Sequence, residues 1–101
     1  MTDKDLIVKR VVGTAKRWEQ CNSVDDIDEL DVRVVAGIDG TPREFIVVVT
    51  TGGPHIEVNV TNETVTGHWG SNSHTTHVNN EELCSRLHDM YRQLWNENIR
   101  A

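Results

Sequence analysis

His55-Ile56-Glu57-Val58-Asn59-Val60-Thr61, Asn62-Glu63, Thr64-Val65-Thr66-Gly67-His68-Trp69: this stretch decides the fold. From His55 to Thr61, apolar and polar residues alternate strictly, the period of a strand with one face buried. Asn62-Glu63 reads as the reversal, and Thr64–Trp69 as the returning strand. With a two-residue turn, Val58 faces Gly67, Ile56 faces Trp69, and His68 stands opposite Glu57 on the other face. Ile56, Val58 and Trp69 thereby turn toward a core, while His55, Glu57 and His68 turn out. A slip of one residue would scramble both sets.

Upstream, Leu30–Ile38 and Glu44–Thr51 read as two further strands joined at Asp39-Gly40, a pair suited to a tight hairpin. Val34 then faces Phe45 and Val32 faces Val47, on the same side as Ile56 and Val58. Gly52-Gly53-Pro54 breaks the chain before the third strand. Residues 3–20 carry Ile7, Val11, Ala15 and Trp18 at helical spacing, with Thr2 as cap and Asp5 three residues on. Gly70–Thr76 reads as polar loop. A second helix starts after Asn79, with Glu82 as the reciprocal acid and Leu83, Leu87, Met90 and Leu94 as its stripe. The expectation is one α+β domain over residues 1–101. It is a two-layer sandwich of order α-β-β-β-β-α, a four-stranded antiparallel meander with both helices on one face.

Composition narrows the function classes. The net charge of -6 over 101 residues argues against general affinity for a nucleic-acid backbone. The acid is concentrated in Glu19, Asp25, Asp26, Asp28, Glu29 and Asp31, while the first helix carries Lys9, Arg10, Lys16 and Arg17 on one arc. That basic arc has the charge to meet an acidic partner, although the chain's own acidic stretch is also available to neutralise it. Only three lysines occur beside many Val, Thr and Asp, a balance compatible with a salt-loving source. No apolar run reaches the roughly 20 residues needed to span a bilayer, and no secretory apolar segment stands near Met1. A cytoplasmic location is expected, with Cys21 and Cys84 as reduced thiols. The sequons at Asn59 and Asn62 then read as strand and turn residues.

Three features have chemical potential. His55, Glu57 and His68 share a predicted outer face, and His74 or His77 from the following loop has the type to complete a divalent-metal site. The plainer reading is a solvated hairpin face, since the spacing matches no established ligand pattern. Cys84 and His88, four apart on a helix, have the types for a thiol and its base; the plainer reading is a small buried side chain beside a half-buried imidazole. Tyr91, Trp95 and Trp18 read as core or helix packing. No nucleophile elbow, paired Cys-x-x-Cys or phosphate-binding loop is present. On the first hairpin, Val35, Ile46 and Val48 point away from the core side, an apolar patch that a second copy of the chain would cover. The sequence therefore points to a small soluble, non-catalytic binding or assembly protein that self-associates, with no required cofactor. The alternative is a divalent-metal protein using the histidine cluster.

Overall fold

The computed structural model describes residues 2–98. Helix α1 (Asp3–Glu19) is followed by a single 3-10 turn (Val24–Asp26). Five strands come next, β1 (Asp31–Ala36), β2 (Pro42–Thr50), β3 (His55–Asn59), β4 (Thr64–Trp69) and β5 (Asn72–His77), and then α2 (Glu81–Asn98). The sheet is an antiparallel meander in chain order, β1-β2-β3-β4-β5. The α+β class holds. The expected count of four strands is corrected to five.

Local chemistry sets the ends of the elements. Thr2 and Asp5 form a reciprocal capping box at the start of α1. The cap of α2 is Asn80 rather than Asn79: its Oδ1 accepts from the Leu83 N–H at 3.2 Å. Its Nδ2 also donates to the Trp18 carbonyl at 2.8 Å and the Cys21 carbonyl at 3.1 Å, so one side chain starts α2 and holds the end of α1. The Asn79 N–H donates to Glu19 Oε2 at 2.9 Å, a second tie at the same junction.

The first hairpin pairs as expected, Val32 with Val47 and Val34 with Phe45. Between β3 and β4 the register differs by two residues: Ile56 faces Gly67, Val58 faces Val65 and His55 faces His68. The reversal is longer than Asn62-Glu63 because Asn59 Oδ1 accepts from the N–H groups of both Thr61 and Asn62, which draws the chain out of the strand early. Glu63 completes the turn at φ 59°. A shift of two leaves every side chain on its expected face.

Strand β5 occupies the stretch read as loop. It pairs with β4 along its whole length, from Thr64 with His77 to Trp69 with Asn72. Helix α1 lies across β4 and β5. Gly67 permits this approach, since a Cβ there would stand 2.5 Å from Val11 Cγ2 and 2.8 Å from Ile7 Cδ1. Helix α2 meets the sheet at Phe45, whose ring lies 5.2 Å from that of His88 and 5.9 Å from that of Tyr91. Ile7, Val11 and Trp18 of α1, Leu83 and Leu87 of α2, and Phe45, Val47, Ile56, Val58 and Val65 of the sheet belong to one buried cluster.

Candidate functional site

On the sheet face opposite that cluster, β2 places Ile46 and Val48 between Arg33 on β1 and Glu57 on β3. Arg33 Nη1 reaches Glu57 Oε2 at 3.1 Å, so the ion pair must pass over β2. His55 Nε2 meets the same carboxylate oxygen at 3.0 Å. These side chains roof the apolar strip, and Ile46 and Val48 are buried within the single chain, at 8% and 3% exposure. Exposed ion pairs add little stability by themselves; the work of this one is to exclude water from two apolar side chains. Of the residues expected to form an apolar interface, Val35 alone is exposed, at 41%.

The five expected metal ligands do not converge. His55 and His68 are cross-strand neighbours with ring centroids 6.3 Å apart, and Glu57 contacts His55. His77 stands opposite Thr64, four residues along β4 from His68. His74 stands opposite Gly67, which puts it on the core side of the sheet, and it is a strand residue rather than part of a closing loop. Among the described residues, no three His, Cys, Asp or Glu side chains are grouped to hold a metal ion.

The thiol reading of Cys84 fares no better. Cys84 is buried beside His88, and burial, with the Glu63 carboxylate, pushes its pKa up to about 11. Burial, with Asp26 and Asp28, likewise raises Cys21 against the opposing effect of Arg17. Both thiols are held toward the protonated, unreactive form. On α1, Arg17 Nη2 lies 3.9 Å from Asp28 Oδ2, so part of the basic arc is met by the chain's own acids, while Lys9, Arg10 and Lys16 are exposed.

A groove of about 740 Å³ lies between the β1 side of the sheet and the C-terminal half of α2. Val32, Val34 and Phe45 form its floor; Tyr91, Leu94 and Trp95 form its wall; Glu29 and Leu30 stand at its rim. The Trp95 indole N–H donates to the Gly40 carbonyl at 3.1 Å and fixes α2 to the β1–β2 loop. Tyr91 is 6% exposed, and its buried hydroxyl makes no well-formed hydrogen bond. Burial pushes that hydroxyl above the usual phenol range, and the nearby Glu29 carboxylate adds to the shift through its charge and as an acceptor for the hydroxyl. Sequence reasoning assigned Tyr91 and Trp95 to packing and Leu94 to the buried stripe of α2. Leu94 lies on the same stripe as Leu83 and Leu87 but is 48% exposed, because near the C-terminal end of α2 that stripe faces the groove instead of a packed sheet.

Two helices with a five-stranded antiparallel meander define an α+β domain, and no described helix is long and apolar enough to cross a membrane. No protein-family model, curated protein or solved structure matches the chain.

Proposed function

We propose that this domain is a non-catalytic assembly module that joins a second copy of itself along β1. The supporting observation is the unequal character of the two sheet edges. Strand β5 ends the sheet with Asn72-Ser73-His74-Thr75-Thr76-His77, a polar edge suited to water. Strand β1 ends it with Val32, Val34 and Val35, flanked by Leu30 at 64% exposure and Ile38 fully exposed. Asp31 Oδ1 accepts from the Val32 N–H at 2.9 Å, and once that carboxylate turns to Arg33 of the second copy the apolar edge is a template for another strand.

Asp31-Val32-Arg33 is self-complementary in antiparallel pairing. With the twofold axis at Val32, Asp31 faces Arg33 of the second copy and Arg33 faces its Asp31. Leu30 then covers Val34 of the second copy on the core side. Moving the axis to Arg33 sets two guanidinium groups against each other, so charge selects the register. To meet Asp31 of the second copy, Arg33 turns away from Glu57, so the His55–Glu57 contact is the part of the roof that stays over Ile46 and Val48, and Val35 remains beside the contact.

Sedimentation equilibrium at micromolar protein tests the proposal. The native chain is expected to be dimeric, and Asp31→Arg to shift it toward monomer. The combined Asp31→Arg, Arg33→Asp chain is expected to dimerise again. A monomeric native chain, or an Asp31→Arg chain that associates as well as the native one, removes the reading.

A further inference from the structure

We infer that the groove between β1, β2 and α2 binds a small primary ammonium carried on an apolar body. Its volume of about 740 Å³ suits a small-molecule site, and its lining is mostly apolar and aromatic, with Glu29, Asp31 and Asn98 adding polar groups. Three of the five aromatic side chains of the protein, Phe45, Tyr91 and Trp95, line it.

The polar groups decide the ligand class. The Tyr91 hydroxyl is buried and makes no well-formed hydrogen bond, although the Glu29 carboxylate acts on it. Glu29 brings a carboxylate toward the same point. An ammonium group can donate to the phenol oxygen and to the carboxylate at once, satisfying the first and neutralising the second. An alcohol of the same shape satisfies the hydroxyl and leaves the carboxylate charge unmet. An anion is repelled. The apolar body has Phe45 and Trp95 to lie against, and the aromatic rings favour a cation close to them. The recessed hydroxyl is reached when Glu29 moves aside. Glu29 lies between the 3-10 turn and β1, in neither helix nor strand, so its movement breaks no ladder.

Pairing through β1 is not required, since the hydroxyl, the carboxylate and the aromatic wall come from one chain. The test uses phenethylamine, phenethyl alcohol and hydrocinnamate, followed by NMR of the three tryptophan indole N–H signals. Trp95 lines the groove, while Trp18 and Trp69 serve as internal references. Phenethylamine is expected to shift the Trp95 signal saturably, with phenethyl alcohol at least about tenfold weaker and hydrocinnamate silent. Glu29→Gln and Tyr91→Phe, which keep size and ring, are each expected to weaken the amine by about tenfold. Absence of a saturable Trp95 shift overturns the inference. So does equal binding of the alcohol or the acid, or native affinity in both variants.

Discussion

Replacing Gly67 by alanine tests how α1 is seated on the sheet. The new methyl carbon would stand 2.5 Å from Val11 Cγ2 and 2.8 Å from Ile7 Cδ1, and both residues are fully buried. Carbon atoms settle about 3.5–4.0 Å apart, so roughly 1 Å must be found between helix and sheet. Neither neighbour is a free side-chain end at the surface, and an overpacked site of this kind costs about 1–3 kcal/mol. One term opposes this. Gly67 does not use the left-handed region, so alanine fits its backbone and gains about 0.4–1 kcal/mol by restricting the unfolded chain. The net expectation is a loss of about 1–2 kcal/mol, or a melting temperature lower by roughly 5–15 °C for a domain of this size. Urea and thermal melts followed by circular dichroism measure it. Val11→Ala alone opens a cavity at the same point, so the double variant should cost less than the sum of the singles by at least about 0.5 kcal/mol. A Gly67→Ala protein more stable than the native one, or strictly additive singles, would refute the close approach of α1 to β4.

Asn80→Ala removes the cap of α2 and the donors to the Trp18 and Cys21 carbonyls, and should cost roughly 2–3 kcal/mol in urea melts. Asn80→Asp keeps the cap oxygen and should fall between the two; equality with alanine would show that the cap contributes nothing. Alkaline pH should destabilise the protein through Cys84, whose folded-state pKa lies near 11 against an ordinary 9.0. At neutral pH the thiol is protonated in both states and the term is constant; above about pH 9 the unfolded chain ionises first, so stability falls until the pH passes the folded value. Cys84→Ala should flatten the slope between pH 8.5 and 10.5 in urea melts, and an unchanged slope would assign it to other groups, Tyr91 foremost.

The strands that sequence reasoning located are those whose side chains record the sheet. In β3, alternation of Ile56 and Val58 with His55, Glu57 and Asn59 follows directly from one buried face. The run Phe45 to Val49 is buried on both faces, as a central strand under a core on one side and the Arg33–Glu57 pair on the other. Strand β5 left no such record. Its core-side positions are Asn72, His74 and Thr76, half-buried rather than sealed, and the backbone ladder to β4 supplies its order. The turn before it, Gly70 at φ 59° with Ser71, merged into what reads as one polar loop, because nothing apolar followed to mark a strand. The register between β3 and β4 failed for a different reason. The side chain of Asn59 competes with the ladder by bonding Thr61 and Asn62, an effect that period counting does not contain.

The unread strand and the unread groove have one cause. A five-stranded layer is about 20 Å wide between its outer strands, and each helix covers about 10 Å. Two helices roof such a layer only if they share it evenly. Here α1 is drawn across β4 and β5, where Gly67 lets it descend, and α2 meets the layer at Phe45 on β2. Strand β1 is left with Val32 and Val34 half-covered, and Leu94 of α2 overhangs the gap. With four strands the same helices would close over the sheet, and Tyr91, Leu94 and Trp95 would be plain core, as their spacing suggests. The fifth strand, nearly invisible in the sequence, widens the layer on the side where α1 settles and leaves the groove beside β1 uncovered.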